Sequence, residues 1–164
     1  MSASRGIRTG AVVGTVGGAV RAAGSFAPRL IASDDARTWL YVGIDICLAL
    51  GLVSLYLARR QGMRRAGILG SFLGLGGLIA GRIGPAMTDL DLYPVAAATV
   101  AIGVLMLAFS EWQMRRVAAW IPLTFALSLV VGSIGTFVAG TSALFILSGI
   151  LFGCAFAAMT ISVL

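Results

Sequence analysis

Six long apolar segments joined by short polar links constrain the fold of this chain more than any other feature. They run over about residues 7–31, 39–58, 66–87, 94–110, 117–138 and 142–163. A helix needs roughly 20 mainly apolar residues to cross a bilayer, and these segments have about that length. A soluble domain of 164 residues with 59% hydrophobic and 11% charged residues could not bury so much apolar surface. We therefore expect an all-α integral membrane protein, a single polytopic domain (residues 1–164) with about six transmembrane helices and short loops.

Arginine is distributed unevenly between the two ends of these segments. All 12 basic residues are arginine, against six acidic residues and no histidine. One set of ends carries Arg5, Arg8, Arg59, Arg60, Arg64, Arg65, Arg115 and Arg116. The other set carries Arg29, Arg37, Asp34, Asp35, Asp89 and Asp91. Because positive charge resists translocation, the arginine-rich side is predicted to be cytoplasmic, with both termini inside.

The tryptophans and tyrosines support the same segmentation. All three tryptophans and all three tyrosines lie within a few residues of a predicted segment end, where amphipathic rings prefer the headgroup level. Arginine without lysine, with abundant alanine and glycine, is typical of a GC-rich bacterial genome. These features predict a multi-pass protein of the inner or plasma membrane, whose arginines meet anionic lipid headgroups rather than nucleic acid.

The first apolar segment admits a second interpretation. Arg5 and Arg8 precede a glycine-rich apolar stretch, and the sequence at 25–27, Ser-Phe-Ala, resembles a signal-peptide cleavage site. Cleavage would leave five spans and an external N-terminus. Because Arg21 interrupts the apolar stretch and Pro28 would directly follow the cut, we favour a retained helix.

An internal repeat with an offset of 52 residues is a further hypothesis. The matching residues are Leu40, Tyr41, Gly51, Gln61 and Arg64, followed by Leu92, Tyr93, Gly103, Gln113 and Arg116. Both copies would run in the same direction through the membrane, which indicates a parallel duplication. Chance similarity between apolar sequences is the alternative.

Several of the 22 glycines recur every four residues on predicted helices. The candidates for helix packing are Gly10, Gly14, Gly18, Gly74, Gly149 and Gly153. Small residues at this spacing let helix backbones approach closely, which is how helices gain contact in lipid. Packing within the protein is the favoured interpretation, and a permeation path or a dimer contact is the alternative.

Three charged residues fall inside predicted spans: Arg21, Asp45 and Arg82. An unpaired charge at mid-membrane costs at least about 2.5–3.5 kcal/mol, so these residues should face the bundle and pair. Tyr41 lies one turn from Asp45 and could add a hydroxyl. One interpretation is a structural ion network that fixes the first three helices. The other is an outward-opening polar pocket for an anion or a lipid headgroup, or a proton-exchanging Asp45.

The remaining polar residues indicate no reaction. Cys47 and Cys154 lie in different predicted spans and are expected to pack as small apolar groups, without a disulfide. Glu111 is interpreted as an interfacial charge, and Asp89 and Asp91 as solvated loop carboxylates. With no histidine and no lysine, we expect no metal site, no cofactor and no enzyme activity.

Two functions remain open from the sequence. The favoured one is a small accessory membrane protein that binds lipid or a partner, as a homo-oligomer or within a larger membrane complex. The alternative is a small transporter or channel that uses the outward polar site of Arg21, Asp45 and Arg82.

Overall fold

The computed structural model describes residues 5–87, 93–137 and 142–164. The helices are α1 Arg5–Gly24, α2 Ala27–Leu30, α3 Asp34–Arg59, α4 Arg65–Met87, α5 Tyr93–Gln113, α6 Trp120–Phe137 and α7 Ser142–Ile161. Within these described ranges the secondary structure is helical, with no strand. The prediction of an all-α fold is therefore confirmed.

Four helices are long and apolar enough to cross a membrane. The qualifying stretches are Asp34–Arg59, Arg65–Ile83, Pro94–Gln113 and Ala143–Ile161. A fifth apolar stretch, Trp120–Gly135 in α6, is shorter. In contrast, α1 is rich in glycine and carries three arginines along its 20 residues, so its hydropathy is lower. These helices indicate a membrane protein.

The first helix ends earlier than the sequence predicted. Instead of continuing to residue 31, α1 stops at Gly24, and the short α2 follows after a turn. The amides of Ser25 and Phe26 donate to carbonyls only three residues earlier, at 3.3 and 3.1 Å, which tightens and ends the helix. Pro28 then occupies the first turn of α2, where its missing amide hydrogen costs little.

The third helix begins five residues before the predicted segment. Ser33 caps it by accepting a hydrogen bond from the amide of Ala36 at 3.3 Å. Asp34 and Asp35 follow in the first turn, where negative charge is stabilised by the helix dipole. A polar N-terminal turn is therefore added to the apolar segment.

The six long helices pack as a closed ring. Helix α1 lies between α3 and α7, α7 continues to α6, α6 to α5, α5 to α4, and α4 returns to α3. The junctions between α5 and α6 and between α3 and α4 are sparser than the other four. The α4–α5 pair thus joins the remaining four helices along two looser junctions.

Glycines bring α1 into backbone contact with both neighbours. A Cβ at Gly14 would lie 2.5 Å from the Cα of Gly51 on α3. On the opposite side, a Cβ at Gly18 would lie 2.7 Å from the amide nitrogen of Ala157 on α7. Any side chain larger than hydrogen at these positions would force the backbones apart.

A comparable crossing joins α4 to α5. A Cβ at Gly103 would lie 2.7 Å from the carbonyl oxygen of Gly70 and 3.0 Å from the Cα of Gly74. Gly51 and Gly103 match at the 52-residue offset, and each meets a glycine of the preceding long helix. Of the other glycines predicted to pack, Gly10 faces Ser54, Gly149 faces Ser25, and Gly153 faces Gly18 and Ala22.

Large apolar side chains fill the centre of the ring. Leu52 and Leu55 of α3, Leu107 of α5 and Phe156 of α7 are completely buried, and Phe125 of α6 is nearly so. They form one continuous core with neighbouring apolar residues of the same four helices and of the segments between helices, and side chains of α4 pack against it. The middle of the bundle is therefore closely packed and apolar.

We expect Gly103→Ala to lower stability by about 1–3 kcal/mol, because the added methyl group meets backbone atoms that cannot rotate away. Gly76→Ala is the matched control, since a Cβ there has no neighbour within 4 Å. Thermal unfolding in mild detergent measures both changes. Equal melting temperatures for the two variants would contradict the close α4–α5 crossing.

Candidate functional site

Two clusters of charged and polar side chains link α3 to its neighbouring helices. The Asp45 cluster contains Arg21, Tyr41, Asp45 and Arg82, and the Glu111 cluster contains Arg59, Glu111, Arg116 and Ser162. Asp45 and Arg59 are 14 residues apart on α3, which corresponds to about 21 Å. The clusters therefore lie toward opposite ends of the bundle.

In the Asp45 cluster, Arg82 of α4 binds Asp45 of α3 through two nitrogen atoms. Its Nε and Nη2 lie 2.6 and 2.5 Å from Oδ2 of the carboxylate. The two side chains remain 35% and 27% exposed, so the pair is open on one side. This ion pair joins α3 to α4.

Arg21 takes a different partner. Its guanidinium carbon lies 6.0 Å from the centre of the Tyr41 ring, a cation–π distance. The Tyr41 hydroxyl donates a hydrogen bond to the carbonyl of Gly24 at 3.2 Å, at the last residue of α1. Tyr41 thus links α3 to the end of α1, and its hydroxyl is not directed to Asp45.

The three predicted charges are therefore only partly brought together. Among the described residues, the ion pair of Asp45 is with Arg82, and none joins Asp45 to Arg21. The early end of α1 explains the difference, because it places Arg21 in the last helical turn instead of deep within a longer span. A cation is stabilised there by the helix dipole and needs no carboxylate.

The Glu111 cluster contains the most deeply buried acidic group of the described residues. The Glu111 side chain is 0% exposed, and Arg59 is 10% exposed. Arg59 Nη1 lies 2.5 Å from Oε2 of Glu111. Arg59 Nη2 donates to the carbonyl and the hydroxyl of Ser162, at 2.8 and 2.7 Å. One arginine thus connects the ends of α3, α5 and α7.

Positive charge exceeds negative charge in this cluster. Arg116 Nη1 lies 3.8 Å from Oε1 of Glu111 and donates to the carbonyl of Arg59 at 3.4 Å. Oε1 of Glu111 and the hydroxyl of Ser110 are buried without a hydrogen-bond partner within the described ranges. Two arginines therefore face one carboxylate that retains an unused acceptor.

Glu111 lies near the end of α5, as an interfacial charge would, but α5 continues past residue 110 and turns this side chain inward, and its burial was not predicted. The 52-residue offset could have indicated it, since Glu111 occupies the position that matches Arg59. If the two halves of the proposed repeat lie side by side, opposite charges at equivalent positions can pair with each other.

Both ion pairs join α3 to the α4–α5 pair. Asp45–Arg82 bridges α3 to α4 toward one end, and Arg59–Glu111 bridges α3 to α5 at the other. Arg64 adds a hydrogen bond of 2.5 Å to Oε1 of Gln113 beside the second pair. Charged contacts thus supplement sparse helix packing at this side of the α4–α5 pair.

An apolar groove of about 460 Å³ lies between α5 and α6, on the other side of the α4–α5 pair. We call it the α5–α6 groove. Its lining residues are Leu105, Met106, Phe109, Trp112, Ala119, Pro122, Leu123 and Ala126. Alanine and proline on α6 leave room where larger side chains would close the junction.

The other predicted candidates do not form a site. Cys47 is half-buried in α3 against α1, whereas Cys154 is exposed on α7, so its expected burial is wrong. Asp89 and Asp91 lie outside the described residues. Within the described part of the chain, no group of three or more cysteine, aspartate or glutamate side chains could hold a metal ion.

Comparisons with protein-family models, with curated proteins and with solved structures found no match to this chain.

We expect Glu111→Gln to destabilise the protein by about 3–5 kcal/mol, because it leaves the Arg59 guanidinium, in a side chain that is only 10% exposed, without its counterion. Asp45→Asn should cost less than this, because its pair is partly exposed and the Arg82 left behind can extend its side chain toward the headgroups at the nearby end of α4. Thermal unfolding in detergent shows which of the two variants loses more stability. An equal or larger loss for Asp45→Asn would contradict this ranking.

The same measurement identifies the partner of Asp45. Asp45→Asn and Arg82→Gln should be non-additive by at least about 0.5 kcal/mol, as expected for residues in contact. Asp45→Asn and Arg21→Gln should be additive, because Arg21 lies on Tyr41. Coupling to Arg21 instead of Arg82 would restore the predicted three-charge network.

Proposed function

We propose that this chain is a six-span protein of the inner or plasma membrane, with both termini in the cytoplasm, and that it acts as a small accessory protein. In this role it binds lipid or a partner at its membrane-facing surface. It carries out no chemical reaction.

Two observations support six spans. Helices α1 and α6 have 20 and 18 residues, which correspond to about 30 and 27 Å, close to the thickness of the hydrocarbon core. Both also pack within the same ring as the four more apolar helices. The arginine-rich ends, which include Arg5, Arg60 and Arg115, support the cytoplasmic placement of that side.

The observation that carries the accessory role is the filled interior of the ring. Leu52, Leu107 and Phe156 are completely buried at the centre, where a solute path would need polar groups or open space. The α5–α6 groove instead opens on the outer surface. The packed core and the open groove therefore favour binding at the surface over passage of a solute through the centre.

A transporter is the second candidate, and the arrangement of the ion pairs favours it. Asp45–Arg82 and Arg59–Glu111 lie toward opposite ends of the junction between α3 and the α4–α5 pair. Alternate opening of the two pairs would expose this junction first to one side of the membrane and then to the other. The exposed Asp45–Arg82 pair and nearby Arg21 would form the outward site for an anion.

Flux across proteoliposomes distinguishes the two candidates. We expect efflux of chloride and phosphate, and uptake of protons, to equal that of protein-free liposomes, because the core of the ring is packed. Phospholipid should remain bound through purification, measured as lipid phosphorus per protein.

The paired variant Asp45→Asn/Arg82→Gln serves as the flux control. Saturable flux in the parent that is absent in this variant would contradict the accessory role and support the transporter. Purified protein without any retained phospholipid would contradict lipid binding at its surface.

A further inference from the structure

We propose that the α5–α6 groove is a binding site for one anionic phospholipid, with an acyl chain in the groove and the phosphate on Arg115. This inference rests on the proposed surface-binding role and names its ligand. The lipid would come from the leaflet at the arginine-rich end of the bundle.

The chemistry of the groove suits an acyl chain. Leu105, Phe109 and Trp112 follow each other at helical spacing and form one apolar wall. They extend for about 10 Å along α5, toward its C-terminal end. Opposite them, Pro122 and Ala126 leave the space of about 460 Å³. No lining side chain carries a charge, so methylene groups are the part of a lipid that this volume accommodates.

The turn at one end of the groove carries the positive charge. The groove runs along the last turns of α5 and the first turns of α6, so the short segment joining these helices lies at its end. Arg115 is exposed in this segment, and its side chain has no ion pair within the described residues. The nearest carboxylate in the sequence, Glu111, is buried and paired with Arg59. An anionic headgroup would complement the charge left on Arg115.

The backbone of Arg115 supplies an independent indication. Its φ is 55°, in the left-handed region that glycine occupies most easily. The amides of Arg115 and Arg116 donate to the carbonyls of Trp112 and Glu111, at 2.8 and 2.9 Å, and form a Schellman cap. In the turn after α3, the residue with positive φ is Gly62. An arginine in a conformation where glycine would be less strained points to a role for its side chain.

Trp112 is placed to report on this site. Its side chain lines the groove and is 39% exposed. Its ring contacts that of Phe109 in a tilted arrangement, with ring centres 5.3 Å apart. An indole near the end of a membrane helix contacts both acyl chain and headgroup. Its fluorescence is therefore sensitive to a quencher on a lipid held in the groove.

The experiment uses the full chain with Trp39→Phe and Trp120→Phe, two exposed positions, so that Trp112 is the only tryptophan. The protein is reconstituted in phosphatidylcholine vesicles that contain phosphatidylglycerol brominated on its acyl chains, or brominated phosphatidylcholine as the reference. We expect brominated phosphatidylglycerol to associate about fivefold more strongly, corresponding to about 1 kcal/mol for one arginine at the membrane surface.

Three variants test the assignment. Arg115→Gly should abolish the preference for phosphatidylglycerol without lowering the melting temperature, because glycine relieves the strained backbone. Ala126→Phe, which fills the groove, should reduce quenching by both lipids. Arg8→Gln removes an exposed arginine at the same end of the bundle but on α1, and should leave the preference unchanged.

Two results would overturn the site in different ways. If Arg8→Gln and Arg115→Gly lower the preference equally, the whole arginine-rich surface attracts anionic lipid, and the surface-binding role stands without this site. If neither brominated lipid quenches Trp112, the groove holds no lipid. Purified protein that also lacks phospholipid would then remove lipid binding from the proposed function.

Discussion

Close contact between helix backbones is the constraint on which this bundle depends. In a chain this apolar, side chains gain little by leaving lipid for a protein interface, so stability must come from van der Waals packing and hydrogen bonds between helices. Gly14 and Gly18 place α1 directly against α3 and α7, and Thr15 shares a hydrogen bond of 2.9 Å with Thr160 across the second contact. The first and last long helices thereby become neighbours, and the ring closes.

The polar groups follow from this packing. Tight glycine crossings join α1 to its neighbours and α4 to α5, but the α4–α5 pair borders the other helices more loosely. At the sparse junction with α3, the Asp45–Arg82 and Arg59–Glu111 ion pairs connect the helices. At the sparse junction with α6, the α5–α6 groove remains open. These two ion pairs and the groove therefore all lie along the borders of one helix pair. A mobile α4–α5 pair would support transport, and a fixed one would present a stable surface to lipid.

The sequence predicted the class of fold well, because the length and spacing of apolar segments depend on each helix separately. The four-residue glycine spacing indicated close helix packing in general, but Gly51 and Gly103, which lie at two of the closest crossings, were not among the predicted packing residues. Partners across helices are harder to predict. The sequence suggests a network of Arg21, Asp45 and Arg82, but α1 ends at Gly24 and places Arg21 in its last turn, beside Tyr41. The burial of Glu111 depends on the length of α5 and on arginines contributed by other segments, which hydropathy does not report.

The most direct test of the closed ring is a disulfide between its first and last helices. Both native cysteines are first removed by Cys47→Ala and Cys154→Ala, and Thr15→Cys and Thr160→Cys are then introduced. The protein is oxidised in membranes and cut by trypsin. If the ring is closed, the N-terminal and C-terminal fragments remain joined until a reductant is added. Val16→Cys with Thr160→Cys is the control and should not cross-link, because Val16 is 52% exposed on the outside of α1. Free fragments from the 15–160 pair, or equal cross-linking of the control, would contradict the ring.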